Sequence, residues 1–98
     1  MKAMSSDNHK EHSIELTISN RLGLHARAAA RLVAIAEQYE ADVAMEKNGE
    51  TADAKSILSL LALECPLGTK VVVRVSGADA KSALAAITEL IENKFGEE

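Results

Sequence analysis

Three imidazoles could act as a nucleophile or metal ligand in this sequence, His9, His12 and His25, and their surroundings separate them. His9 and His12 fall in a polar opening stretch with the spacing H-x-x-H, and no third ligand is near in sequence. A metal site there lacks both a scaffold and a full donor set. His25 instead follows a glycine turn and stands immediately before a segment of helical periodicity, in Arg21-Leu22-Gly23-Leu24-His25-Ala26-Arg27. A helix start presents unpaired backbone N–H groups and about half a unit of positive charge. Such an end is ready to receive an anion, phosphate above all. Acidic residues are favoured in a first helical turn, so Arg27 makes sense there if an anion is to be held. A nucleophilic imidazole, a helix N-terminus and a guanidinium fork together suit phosphoryl chemistry, and the helix field favours the neutral, nucleophilic ring. A plain helix cap beside a solvated arginine has the same spacing, and spacing alone leaves both readings open.

A second candidate lies further along the chain. Ser56 precedes a short apolar stretch and is a preferred N-cap type. Ile57, Leu58, Leu60 and Leu61 follow within five positions, and at helical spacing they cannot all be buried. Leu60 is expected in the core, and the others are expected to form an exposed apolar patch of the kind that marks an interaction site. A single cysteine, Cys65, excludes an internal disulfide and a Cys-cluster metal site; it reads as a small packing residue.

These residues need elements to position them. Residues 1–11 are polar and patternless and are expected to form a flexible tail, with one domain over 12–98. Ile14, Leu16 and Ile18 alternate with polar neighbours as in a half-buried strand. Asn20 to Leu24 read as a turn, and Ala29, Leu32, Val33 and Ala36 mark one face of a helix ending near Tyr39. A strand over 42–47, the turn Asn48-Gly49 and a strand over 50–54 form a hairpin. A short helix over 57–63 is broken by Cys65-Pro66-Leu67-Gly68. A strand over 69–76 carries Val71, Val73 and Val75 on one face. A last helix has Ala80, Ala83, Leu84, Ile87, Leu90 and Ile91 as its buried stripe, with Asp79 near its start and Lys94-Phe95-Gly96 at its end. The order β-α-β-β-α-β-α is that of an α+β open-faced sandwich, one sheet face against helices and the other in water. A ferredoxin-like fold shares the first six elements, and periodicity does not separate the two strand orders.

Composition sets the outer limits. The 98 residues hold 47% hydrophobic but only 2% aromatic side chains, with 17 alanines, so the core must be thin and aliphatic. A net charge of −4 and the near absence of aromatic platforms argue against nucleic-acid binding. No apolar run approaches the ~20 residues of a membrane span, and the polar start lacks a signal peptide's apolar segment. A cytosolic location is expected.

The stretch Gly23-Leu24-His25-Ala26-Arg27 between first strand and first helix, with Ala54-Lys55-Ser56-Ile57-Leu58 at the matching distance, closely resembles the HPr family of phosphocarrier proteins of the phosphoenolpyruvate-dependent phosphotransferase system. The resemblance spans roughly residues 12–95. It implies an HPr-like open-faced β-sandwich, a four-stranded antiparallel sheet with three helices on one face, and decides against the ferredoxin-like order. It also implies that His25 accepts a phosphoryl group on Nδ1 from enzyme I and passes it to an enzyme IIA-type acceptor, with Arg27 orienting the group and balancing its charge. By the same resemblance Ala26, Ala30, Arg31, Ile57, Leu58 and Leu61 face the partners, and Ser56 is a candidate regulatory site for an HPr kinase/phosphorylase. A monomer with no resident cofactor or metal is expected, the phosphoryl group coming ultimately from phosphoenolpyruvate. Two departures stand out: Ala28 replaces a common proline, and Ala34 and Glu37 replace common lysines on the first helix, leaving Arg27 and Arg31 as its positive surface. A regulatory module of the same fold, acting by docking with Ser56 as switch in a nitrogen-related or catabolite-regulation role, is the second reading; His25 with Arg27 favours the relay.

Overall fold

The computed structural model describes residues 11–97. Alternating side chains build a sheet of four strands, β1 (Glu11–Thr17), β2 (Asp42–Lys47), β3 (Glu50–Asp53) and β4 (Lys70–Ser76). The helices are α1 (Ala26–Ala36), α2 (Ile57–Ala62) and α3 (Ala80–Glu92), followed by a 3-10 turn, Lys94–Gly96. The strand order is β1-β4-β2-β3, antiparallel throughout. The open-faced sandwich expected from the sequence is therefore the fold, and the central pair is β4 with β2 rather than the ferredoxin-like arrangement.

Register explains the two faces. Ile14 and Leu16 of β1 lie opposite Val73 and Val71, and Val43 and Met45 of β2 lie opposite Val75 and Val73. The three valines and Met45 are buried under the helices with Leu32, Leu60, Ile87, Ile91 and Phe95. Burying each such side chain stabilises the fold by roughly 1.5–3 kcal/mol. On the open face Arg74 donates from Nε to Glu46 Oε1 at 2.9 Å, a cross-strand pair in water. Eight alanines of the core, including Ala28, Ala29 and Ala36 of α1, let the helices lie close to the sheet and to one another.

Several boundaries differ from the expected ones. β1 already begins at Glu11, so His12 belongs to the strand and lines a groove between β1 and α3 instead of a polar tail. His9 and the rest of residues 1–10 lie outside the described residues. α1 stops at Ala36 rather than near Tyr39: the bonds Gln38 N–H to Ile35 O and Tyr39 N–H to Ala36 O reach back only three residues and tighten the chain into a turn. Asp79 makes no side-chain cap on α3; its carboxylate accepts from the N–H groups of Glu40 and Ala41, both at 2.9 Å. It fastens the loop after α1 to the start of α3.

The largest deviation concerns Phe95, which sequence placed at a helix end and which is one of the most deeply buried side chains. Lys94, Phe95 and Gly96 take successive left-handed φ values of 57°, 56° and 76°. A non-glycine residue pays roughly 1–2 kcal/mol for that region, and here the buried ring offsets it. Arg31 Nη1 donates to Phe95 O and ties the reversal to α1. The chain is thereby turned back toward the start of α1.

Candidate functional site

The turn before α1 determines where His25 stands. Gly23 N–H donates to Asn20 O, and the Asn20 side chain donates from Nδ2 to Gly23 O at 2.7 Å. Gly23 has φ +71°, and a Cβ there would lie 2.7 Å from Cys65 O and 2.8 Å from Pro66 Cα, so only glycine fits. The next residue, Leu24, is buried and donates its N–H to Cys65 O at 2.8 Å. With both sides of the turn fastened, His25 leaves it in extended conformation and becomes the N-cap of α1.

Its ring performs the capping. Nδ1 accepts from the N–H of Arg27 at 3.2 Å, the place usually taken by a Ser, Asp or Asn oxygen. A backbone N–H can only donate, so Nδ1 presents a lone pair and the ring proton is on Nε2. Nε2 faces Glu97 Oε2 at 2.5 Å. Glu97 Oε1 in turn accepts from Asn20 Nδ2 at 3.0 Å. The Asn20 amide holds the Glu97 carboxyl below the usual carboxylate range; burial opposes this, and the bond to His25 and the charge of Arg31 add to it. The imidazole is thus fixed from both nitrogens, and half-buried rather than enclosed.

Around the ring lies a hollow of about 660 Å³ lined by Arg21, Leu22, Ala26, Arg27, Arg31 and Glu97. That space has room for a phosphoryl group. Arg27 is exposed, and among the described residues its guanidinium has no hydrogen-bond partner, which leaves its fork available to an anion. Arg31 is partly committed through its bond to Phe95 O. Ala26 and Ala30 are exposed on the same helix, whereas Ala28 is fully buried, as its place in the core requires.

Ser56 is the N-cap of α2, its Oγ accepting from the N–H of Ser59 at 3.2 Å. Leu60 is fully buried; Ile57 is 38% and Leu58 80% exposed, while Leu61 is half-buried against the core. The patch expected from sequence therefore holds Ile57 and Leu58 fully and Leu61 only by its edge. α2 packs on α1, and two further exposed leucines, Leu22 and Leu67, lie in the loops that meet at Gly23. Cys65 is buried, and burial pushes its thiol up against the opposing charge of Lys47.

Asn20 and Glu97 are the site residues that sequence reasoning missed. Asn20 reads locally as a turn former, and Glu97 is separated from His25 by 72 positions with no periodic signal to place it. The left-handed Lys94-Phe95-Gly96 run that carries it back is invisible to a helix stripe.

Fold and site together define a small α+β domain with one half-buried imidazole held at a helix N-terminus, framed by arginines and exposed apolar side chains. The comparisons agree. The family described as "PTS HPr component phosphorylation site" matches residues 12–93. The phosphocarrier protein HPr of Xylella fastidiosa is 40% identical over 84 residues, covering 86% of this chain and 94% of that protein. The phosphocarrier protein NPr of Shewanella violacea is 41% identical over 83 residues, covering 85% and 91%. The crystal structure of HPr from Thermoanaerobacter tengcongensis superposes with a TM-score of 0.86 at 37% identity, covering 89% of this chain and 98% of that one. The chain belongs to the HPr family of phosphocarrier proteins of the phosphotransferase system.

Proposed function

We propose that His25 accepts a phosphoryl group on Nδ1 from phospho-enzyme I and passes it to an enzyme IIA-type acceptor. One observation carries this reading: the Nδ1 lone pair is held at the first turn of α1, against the N–H of Arg27, with the proton on the other nitrogen. In the forward step Nδ1 attacks phosphorus in line, the N–P bond forms, and the bond from phosphorus to the donor breaks with its electron pair remaining on the donor. The Arg27 N–H, freed from Nδ1, then donates to a phosphoryl oxygen, and the Arg27 guanidinium balances the charge. Transfer to the acceptor is the same step reversed onto a new nucleophile. One arginine and a few backbone donors contribute about 1.5–3 kcal/mol per charged contact, enough to orient the group without trapping it. The phosphoryl group is cargo, ultimately from phosphoenolpyruvate, and the relay needs no resident cofactor.

Ile57, Leu58 and the edge of Leu61 are the docking residues for enzyme I, with Leu22 and Leu67 extending the apolar surface. Ser56 is a second, regulatory position: a phosphate there would set negative charge beside that patch and weaken docking to an acidic partner such as enzyme I, and HPr kinase/phosphorylase is the enzyme class that would place it.

The experiment is to incubate wild type and His25→Ala with phosphoenolpyruvate and enzyme I, and to measure intact mass before and after acid. Wild type should gain one acid-labile, alkali-stable phosphoryl group and the variant none. Equal phosphorylation of the variant would remove His25 from this role.

A further inference from the structure

We propose that Glu97, itself aimed by Asn20, is a positioning residue that sets which nitrogen of His25 is the nucleophile. The proposal rests on the phosphocarrier reading of His25 and adds to it a part supplied by the far end of the chain.

Four polar contacts fit only one arrangement of protons. Asn20 is fully buried, and its Nδ2 has two hydrogens, one on Gly23 O and one on Glu97 Oε1. Turning the amide over would set Oδ1 against two acceptors, so its orientation is fixed even though Oδ1 is left without a partner among the described residues. A native buried oxygen left unsatisfied is uncommon and costs about 1–3 kcal/mol. Holding the donor side of Asn20 on Gly23 O and Glu97 offsets that cost. Glu97 Oε1 is then occupied, and Oε2 is turned to His25 Nε2. A carboxylate can only accept, so it draws the ring proton to Nε2 and leaves the lone pair on Nδ1; the partner of one ring nitrogen decides the state of the other.

Delivery of Glu97 depends on the turn that follows α3. The left-handed run Lys94-Phe95-Gly96, the buried Phe95 ring and the Arg31 bond to Phe95 O hold the C-terminal turn over the start of α1. The charged side chains around the ring are Glu97 from that turn, Arg27 and Arg31 from α1, and Arg21 from the preceding loop. Glu97 is thus the only acidic group among the residues lining this hollow. During transfer Nδ1 gains the phosphorus and the ring becomes cationic while keeping its Nε2 proton; the donor keeps the electron pair of the broken bond. Glu97 faces the nitrogen on which that positive charge is shared.

Replacement by glutamine separates charge and geometry. In Glu97→Gln one terminal atom becomes an NH2. If the amide oxygen keeps the Asn20 hydrogen bond, the NH2 points at Nε2 and can only donate, which draws the ring proton to Nδ1 and blocks the nucleophile. Glu97→Ala removes the bias and leaves only the Arg27 N–H to favour the lone pair on Nδ1.

The test is ring 15N NMR of wild type, Glu97→Gln and Glu97→Ala without phosphate, at a pH where the ring is neutral, alongside single-turnover transfer from phospho-enzyme I. Wild type should be predominantly the Nε2–H tautomer. Glu97→Gln should shift toward Nδ1–H, Glu97→Ala should show a mixture, and transfer should slow at least tenfold in Glu97→Gln with an unchanged amide spectrum away from the site. Glu97→Asp should restore the wild-type tautomer in part. If both Glu97→Gln and Glu97→Ala keep the wild-type tautomer and transfer rate, Glu97 is a passive tether and the proposal is overturned. A wild type that takes no phosphoryl group from enzyme I would instead overturn the carrier reading, while the tautomer comparison still decides the role of Glu97.

Discussion

Two helix starts in this protein are built alike locally and differ in what surrounds them. At α1 the cap is the His25 ring, accepting from the N–H two residues on; at α2 it is the Ser56 hydroxyl, accepting from the N–H three residues on, both at 3.2 Å. Each satisfies one of the helix's orphan donors. His25 is backed by Glu97 on its second nitrogen and lies in a hollow with three arginines. Ser56 leads into the exposed Ile57 and Leu58. Lys55, its neighbour, extends its ammonium to Tyr39 O. The capping role is shared, and long-range neighbours set the two apart: one ring is held from both nitrogens among arginines, while the other cap borders an exposed apolar patch.

The sharpest way to break this comparison is to remove each cap. His25→Ala should abolish phosphoryl uptake altogether and lower stability by about 0.5–2 kcal/mol, the ordinary loss of a cap. Arg27→Ala should keep the fold and slow transfer roughly 10- to 150-fold, the equivalent of a charge-assisted contact of ~1.5–3 kcal/mol; rapid-quench kinetics with enzyme I would read it. At the other helix, Leu58→Glu should weaken enzyme I binding at least about tenfold by calorimetry, losing the ~1.5–3 kcal/mol that an apolar side chain contributes when buried. Its thermal melt should move little because Leu58 is 80% exposed. Ser56→Ala should cost ~1 kcal/mol of stability on chemical denaturation and leave phosphoryl uptake on His25 intact. Ser56→Asp should keep the cap and reduce enzyme I binding.

The smallest effect is one of pH. Asn20, then His25 and Arg31, hold the Glu97 carboxyl below its ordinary range against the contrary influence of burial. A carboxyl that titrates lower in the folded than in the unfolded chain contributes its stabilisation above the unfolded value and loses it only as pH falls through the folded one. The His25–Glu97 contact should accordingly persist below the usual carboxylate range. Carboxyl-carbon NMR through an acid titration would follow it, and a Glu97 midpoint at or above that of an exposed glutamate would contradict the arrangement.

Much of this was legible in the sequence, for physical reasons that differ by element. The strands announced themselves because one face is buried and the other wet, so Val71, Val73 and Val75 alternate with Lys70, Val72, Arg74 and Ser76. His25 and Arg27 were legible because a glycine turn and a helix start are local signals. Ser56 and Leu60 followed from capping and from the crowding of a six-residue helix. Glu97 and Asn20 were not, since a contact across 72 positions depends on three left-handed residues and on Phe95 entering the core, and no period records either. The end of α1 at Ala36 was also hidden, because the apolar pattern runs on to the half-buried Tyr39 through a tightened turn.

The central claim is that the phosphorus binds Nδ1 of His25 while Nε2 keeps its proton. The direct measurement is 31P- and 15N-resolved NMR of the 15N-labelled protein after charging with phosphoenolpyruvate and enzyme I. The account predicts phosphorus coupled to His25 Nδ1, with a proton on Nε2 still facing Glu97. Phosphorus on Nε2, or on any residue other than His25, would contradict it.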